Sequence, residues 1–177
     1  MNLNNIINRI KLINPNIKFI GEFDNNNLRT GYWEEYWDSG DLLSKGNYKK
    51  GKRHGNWEEY YFNGDICKKG NFKNGKKEGV WECFYYNGLI HSKGHYFNGY
   101  KDGYWEEYWD NGYISSKGNY INGKKEGYWE RYYSYGKLMW KGNYINGYKD
   151  GYWEIYYRSG NLMWKGNYVK GKFDEIK

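Results

Sequence analysis

Glycine recurs every 24 residues through most of this chain, and this period constrains the fold more than any other feature. Gly31 opens a segment of the form G-Y-W-E-x-Y-Y-x-x-G-x-L-x-x-K-G-N-Y-x-N-G-K-K-E, and five further copies follow without a break. The six copies are residues 31–54, 55–78, 79–102, 103–126, 127–150 and 151–174. Such a period is typical of repeat architectures, in which each copy packs on its neighbours.

Seven positions are invariant when each copy is numbered from 1 to 24. They are glycine at 1, 10, 16 and 21, tryptophan at 3, glutamate at 4 and lysine at 15. Positions 6, 7 and 18 are always aromatic, and position 12 is Leu or Ile. Two aromatic runs separated by glycine turns predict two antiparallel strands per copy. The predicted fold is all-β, an elongated single-layer antiparallel β-meander of six 24-residue hairpin repeats.

The register of this sheet follows from the two turns of each copy. A two-residue tip at positions 9 and 10 would set position 7 opposite 12, 4 opposite 15 and 3 opposite 16. If position 16 also faces the next tryptophan, Trp and Gly alternate in one column and Glu and Lys alternate in another, as at Glu106 and Lys117. The predicted packed face carries positions 3, 7, 12, 16 and 18. The wetter face carries Glu, Lys, Asn at 17 and Tyr at 2 and 6.

Residues 1–30 depart from the repeat and predict an N-terminal cap, whereas residues 175–177 are a short tail. Gly21 and Phe23 match positions 16 and 18 of a half-repeat strand. Ahead of this strand, apolar residues at helical spacing predict a short capping helix, namely Leu3, Ile6, Ile7 and Ile10.

Charge and cysteine content suggest the candidate partners of the protein and its cellular compartment. A net charge of +7 makes acidic proteins, anionic lipid and nucleic acid candidate partners. Cys67 and Cys83 are too few for a disulfide framework, which favours a reducing, cytoplasmic compartment, or the host cytoplasm if the protein is viral. Arg9 and Lys11 interrupt the apolar N-terminal stretch, so no signal peptide is expected. No apolar run is long enough to predict a membrane span.

The repeat resembles MORN repeats. The stretch Lys-Gly-Asn-Tyr-x-Asn-Gly-Lys-x-x-Gly at residues 117–127 matches their core. The stretch Trp-Glu-x-Tyr-Tyr-x-x-Gly at residues 129–136 is similar to the variant found in bacterial antitoxin-like proteins and giant-virus proteins. The resemblance implies a twisted antiparallel sheet that acts as a scaffold, dimerises or contacts partners along a groove. For some members it implies contact with acidic phospholipids.

The residue types that most often perform catalysis do not form a recognisable catalytic pattern. His91 and His95 would lie about 13 Å apart along one strand, too far to share a metal ion. The six glutamates at position 4 each lie beside a lysine and are interpreted as a structural ladder. The glycines follow the 24-residue period and therefore mark turns. The sequence predicts a protein that is not an enzyme, with no cofactor, no metal and no small-molecule substrate.

The last two copies carry a different set of side chains from the others. Position 14 is Ser or Lys in the first four copies and Trp in the last two. Trp and Met are enriched at protein interfaces, although local packing is an alternative explanation. The strand at 162–168 is also expected to end the array unpaired, which predicts a homodimer or a partner protein at this end. The candidate partner-binding residues are Met139, Trp140, Ile155, Met163 and Trp164.

The predicted function is a non-enzymatic scaffold for protein–protein interaction through the aromatic face and the C-terminal edge. One alternative, from the resemblance, is an antitoxin-like or immunity-like protein that binds a toxin. Another is binding to anionic lipid or nucleic acid by a basic ridge in the loops of one sheet edge. The candidate ridge residues are Lys52, Arg53, Lys76, Lys77, Lys101, Lys124, Lys125 and Lys149.

Overall fold

The computed structural model describes residues 18–174, which form fourteen β-strands in one antiparallel sheet. Each strand lies beside its neighbours in sequence, in the order β1 to β14. The predicted all-β meander is therefore confirmed. No helix within residues 18–174 has the length and apolar character of a transmembrane span. The strands are β1 (Phe19–Phe23), β2 (Arg29–Tyr36), β3 (Leu42–Lys49), β4 (Lys52–Tyr60), β5 (Ile66–Lys73), β6 (Lys76–Phe84), β7 (Ile90–Phe97), β8 (Tyr100–Tyr108), β9 (Ile114–Ile121), β10 (Lys124–Tyr132), β11 (Leu138–Ile145), β12 (Tyr148–Tyr156), β13 (Leu162–Val169) and β14 (Lys172–Phe173).

The chain divides into two compact units between Gly88 and Leu89. The first unit contains β1–β6 and the second contains β7–β14. The predicted capping helix and the tail at 175–177 lie outside the described residues.

The turn at positions 20 and 21 of each copy joins the strand that ends at position 19 to the strand that runs into the next copy, as between β9 and β10. Asn122 and Gly123 both have positive φ angles, 49° and 79°. Two successive left-handed residues make the tight hairpin turn whose twist matches that of the flanking strands, and Asn-Gly adopts it most readily. Lys50 and Lys170 take the asparagine position in two copies and keep a positive φ of 50° and 49°.

The other turn differs from the predicted two-residue tip. In the first copy, the Gly40 amide donates to the Trp37 carbonyl (2.9 Å), and the Trp37 amide donates to the Asp41 carbonyl (2.8 Å). The tip is therefore formed by positions 8 and 9, with Gly40 following at a φ of 91°. This three-residue loop shifts the register, so Tyr36 faces Leu42. The predicted pairing of position 7 with 12 is wrong, because the residue at position 13 is bulged out of the ladder.

The central register is confirmed in both units. In the first unit, Trp33 and Trp57 both face Gly46. In the second unit, Glu106 and Glu130 both face Lys117. The Trp–Gly and Glu–Lys columns therefore exist within each unit.

The core is a row of tryptophans on one face of the sheet. All six tryptophans at position 3 are at most 1% exposed. Trp129 shows how this is achieved without a second layer. Its ring lies between Tyr120 and Tyr144, with centroids 5.0 and 6.2 Å away, and its Nε1 donates to the Asn119 carbonyl (3.0 Å). A Cβ added to Gly118 would meet this indole at 2.3 Å, so only glycine fits at position 16.

The two ends of the described sheet differ in how the outermost strands are paired. The predicted N-terminal half-repeat strand is β1, where Gly21 lies against the Trp33 ring. At the C-terminal end, β14 pairs with β13 at Tyr168 and Val169. The prediction that β13 is wholly unpaired is therefore wrong. Its first residues, 162–166, have no strand on their outer side within the described chain.

Candidate protein-binding surface

Positions 5, 14 and 23 flank the tryptophan row on its own face. In the fourth copy, the Glu107 carboxylate accepts from the Ser116 hydroxyl (2.8 Å) and from Lys101 Nζ (3.2 Å). Burial raises the pKa of Glu107, but the Ser116 hydrogen bond and the Lys101 charge outweigh it, so the pKa lies below its ordinary value. The carboxylate is thus held in its charged form within the packed face.

The first unit repeats this arrangement with arginine. Arg53 pairs with the carboxylates of Glu35 (3.3 Å) and Glu59 (3.0 Å). Glu35 also accepts from the Ser44 hydroxyl at 2.7 Å, and Ser44 is buried. A position 5 glutamate, a position 23 cation and a polar position 14 residue therefore form a connected polar network beside the buried tryptophans.

The position 23 cations lie over the tryptophan rings. The distances to the ring centroid are 4.2 Å for Arg53 over Trp57 and 4.0 Å for Lys101 over Trp105. This geometry is a cation–π contact, and the aliphatic stem covers the indole. Sequence reasoning assigned these side chains to a surface ridge and missed their packing role. The five ridge residues in this position are Arg53, Lys77, Lys101, Lys125 and Lys149.

The other three ridge residues occupy position 22 and are exposed. Two of them face another lysine across the turn, Lys49 opposite Lys52 and Lys73 opposite Lys76, while Lys124 faces Ile121. All eight ridge residues belong to the first two residues of strands. The prediction that they lie in loops is therefore wrong, and two of the three exposed ridge residues, Lys52 and Lys76, belong to the first unit.

The last two copies replace the polar network with another set of residues. Position 5 is Arg131 in the fifth copy and Ile155 in the sixth. Trp140 faces both of them, and Ile155 also faces Trp164 on β13. The structure therefore brings three of the five candidate partner-binding residues into one column. We call this column, with the adjacent Lys125, Lys149, Met139 and Met163, the C-terminal surface.

The two extra tryptophans of this surface pack differently. The Trp140 ring lies 5.1 Å from the buried Trp153. The Trp164 ring folds over Gly166, and a Cβ added to Gly166 would lie 2.5 Å from Cζ2 of this ring. The centroids of the Trp164 and Phe173 rings are 5.2 Å apart. In the last copy Trp164 therefore takes the place of the tryptophan that a further copy would supply. It is partly a structural cap.

The two methionines occupy position 13 and lie at the bulge. Met139 has no cross-strand partner, because the register passes from Trp140 to Leu138. Met163 occupies the same place on β13 and is 55% exposed. A bulged residue re-aims its side chain, so Met163 is available to another molecule.

The opposite face is charged but internally paired. Glu130 accepts from the hydroxyls of Tyr132 (2.7 Å) and Tyr128 (3.3 Å) and pairs with Lys117 Nζ at 3.0 Å. Five of the six position 4 carboxylates pair with a lysine in this way, so this face offers few unpaired acidic groups to a ligand.

The cysteines and histidines do not assemble into a site. Cys67 and Cys83 are free thiols, and Cys67 contacts the Tyr61 hydroxyl. Burial raises the pKa of Tyr61, and the two nearby thiols raise it further. Among residues 18–174 no group of three or more His, Cys, Asp or Glu side chains is arranged to hold a metal ion.

A family model described as the MORN repeat variant matches five stretches, residues 29–50, 53–74, 77–98, 101–122 and 149–170. These stretches cover more than half of the 177 residues. This chain belongs to the MORN repeat variant family. Each matched stretch starts at the position 23 cation and ends at position 20, the first residue of the turn between copies. MORN repeats are commonly scaffolds for protein or membrane interaction. Among curated proteins no match is found.

Proposed function

We propose that this MORN protein is a non-enzymatic scaffold that binds another protein through its C-terminal surface and the adjoining β13 edge. The observation that supports this most directly is the outer side of β13. Within residues 18–174 no strand pairs with residues 162–166 on this side, and Leu162 and Met163 are 45% and 55% exposed. An edge of this kind pairs readily with a strand of another chain unless it is guarded. Lys165 is the only charged side chain among these five residues.

A second copy of the chain is the partner to test first, because two copies meeting about a twofold axis make a closed assembly. We expect light scattering after size exclusion to give the mass of a dimer for the wild type. Met163→Lys should give a monomer, because it places a charge at the exposed edge. Trp164 is unsuitable for this test, since its ring also covers Gly166.

Val80→Lys is the matched control, because Val80 is 65% exposed and lies on the Glu–Lys face. This variant should keep the wild-type mass. A monomeric wild type at high concentration would exclude the second copy as the partner. The docking surface itself would be refuted if crosslinking in a host extract gave identical products for Met163→Lys and Val80→Lys.

Binding to an anionic surface is a second candidate, and one observation favours it. The facing pairs Lys49–Lys52 and Lys73–Lys76 place four exposed lysines along one edge of the first unit. Cosedimentation with phosphatidylserine vesicles at low and high salt tests this role. The quadruple Lys→Gln variant should abolish salt-sensitive binding, and unchanged cosedimentation would refute it.

A further inference from the structure

We propose that the C-terminal surface binds an acidic segment of the partner protein, with Lys125, Arg131 and Lys149 as its carboxylate-binding residues. This inference rests on the protein-binding role proposed above and specifies the chemistry of the partner. It follows from an ion pair that recurs at three places along the array and that the C-terminal surface lacks.

The pattern is that a cation at position 23 pairs with a carboxylate at position 5, six residues later on the same strand. Arg29 pairs with Glu35 at 2.5 Å, and Lys101 pairs with Glu107 at 3.2 Å. Arg53 pairs with Glu59 in the same way. At these three places the partly buried cation is neutralised within the protein.

Lys125 and Lys149, the position 23 cations of the fourth and fifth copies, lack this carboxylate. Six residues after Lys125 stands Arg131, and six residues after Lys149 stands Ile155. Within residues 18–174 no carboxylate lies at ion-pair distance from Lys125, Arg131 or Lys149. Glu107 attracts Lys125 only from farther away. The three cations therefore lie on one face, and none of them forms an ion pair with a carboxylate of the described chain.

These cations are held in place by aromatic rings. Lys125 Nζ lies 4.0 Å from the Trp129 centroid and 5.7 Å from that of Trp140. Lys149 Nζ lies 4.5 Å from the Trp153 centroid. Burial lowers the pKa of Lys125, and the nearby positive charge of Arg131 lowers it further despite the opposing effect of Glu107. A carboxylate from another molecule would relieve this unfavourable charge arrangement.

The spacing of the cations suggests the pattern of the acidic segment. Lys125 and Lys149 occupy the same position in successive copies, two strands apart, which is about 10 Å. Three residues of an extended peptide cover about the same distance. In a polyproline II conformation, which has three residues per turn and rises about 3.1 Å per residue, acidic residues three apart lie on one side of the peptide and would reach both lysines. Ile155, Trp140 and Met163 offer apolar contacts to the residues between them. This apolar lining, with only three cations, favours a peptide over a phosphate polymer.

Fluorescence anisotropy with two labelled twelve-residue peptides tests the proposal. One peptide repeats Glu-Ala-Ala, and the other repeats Gln-Ala-Ala. We expect the wild type to bind the glutamate peptide at least about tenfold more tightly at low salt, because charge-assisted hydrogen bonds are stronger than neutral ones. Equal affinity for the two peptides would overturn the inference.

Ile155→Glu is the decisive variant, because it introduces the acidic residue that position 5 has in the first, second and fourth copies. It should weaken binding of the glutamate peptide about tenfold by neutralising Lys149 internally. Val80→Glu adds the same charge on the Glu–Lys face and should leave the affinity unchanged. Lys149→Gln should weaken binding as Ile155→Glu does, so the test stands even if Ile155→Glu fails to fold. Unchanged binding in Lys149→Gln would refute the proposal.

Two further outcomes distinguish acidic-peptide binding from phosphate binding and from self-association. If phosphatidylserine vesicles or a twelve-base-pair DNA duplex bind through Lys149 more tightly than the peptide does, the surface recognises phosphate and the acidic-peptide proposal is wrong. Self-association is measured independently by light scattering. If the protein dimerises but does not bind the glutamate peptide, the acidic-segment proposal is wrong and the protein-binding role stands. If a protein that stays monomeric binds the peptide, only the second copy is excluded as the partner.

Discussion

At the scale of single residues, the fold depends on a match between tryptophan and glycine. Each position 3 indole lies flat against the backbone of a glycine on the neighbouring strand, as Trp129 does against Gly118. This contact replaces the second layer that usually buries a sheet face. The glycine at position 1 has another role, because Gly127 has a φ of 67° and no atom within 4 Å of an added Cβ. Glycine is thus required for space at one position and for backbone conformation at the other.

This distinction predicts different costs for the same substitution. Gly118→Ala should lower the free energy of unfolding by about 3 kcal/mol, because the methyl group would overlap the buried indole. Gly127→Ala should cost only about 1 kcal/mol, for placing alanine in the left-handed region. Urea denaturation followed by tryptophan fluorescence measures both. Equal costs would show that the indole moves aside, and our account of the core would then be wrong.

At the scale of strands and hairpins, the Glu–Lys column and its tyrosines hold the register. Hydrogen bonds from Tyr60 and Lys45 are the main causes that lower the pKa of Glu58. The pKa of Glu154 is lowered in the same way by Lys141 and Tyr156. Similar contacts in adjacent hairpins connect the carboxylates of this face into a ladder. A slip of one residue would break every rung of it.

The ladder predicts that acid destabilises the protein. A carboxyl group whose pKa is lower in the folded state contributes stability above its unfolded pKa, near 4.5, and that contribution disappears as the pH falls through the folded value. We therefore expect the midpoint of urea unfolding to be constant from pH 7 to about 5 and to decrease below about 4.5. The Glu58→Gln variant should show a weaker decrease. A midpoint that does not change down to pH 3 would contradict the role of the ladder.

At the scale of the whole molecule, the 24-residue period makes copies within a unit interchangeable. Removing residues 106–129 would join Trp105 to Glu130 and leave the pattern of the second unit intact. Removing residues 106–128, one fewer, would place Trp105 next to Trp129 within a strand. Because side chains alternate between faces, one of the two indoles would then be turned out of the core.

The first deletion should therefore give a folded protein with a cooperative melting transition, since repeat arrays are stabilised by contacts between neighbours. The second should melt roughly 10 °C lower, as expected when a buried tryptophan is lost. Circular dichroism at increasing temperature measures both. Similar melting of the two deletions would mean that the period does not control the register.

Sequence reasoning succeeded where information is local or periodic. Strand alternation and invariant glycines were sufficient to place Trp33 opposite Gly46 and Glu106 opposite Lys117. It failed at the tip of the first turn, because a two-residue loop and a three-residue loop with a bulge are both compatible with a glycine at position 10. The φ of Gly40 distinguishes them. It also missed the position 23 cations, whose long stems cross to a tryptophan ring.

The sequence by itself determined the period, the order of the strands and the two columns that define the faces, because these depend on spacing along the chain. Only the tertiary structure decided which charges are neutralised and which are not. The pairing of Lys101 with Glu107 depends on how the long lysine side chain bends over the neighbouring tryptophan ring, although the absence of such a pair at Lys149 follows from Ile155 in the sequence. The same holds for Trp164, whose ring lies over Gly166 at the place where the tryptophan of the next copy lies in the other repeats. Such contacts join residues by proximity in space, and no pattern in the chain specifies their geometry.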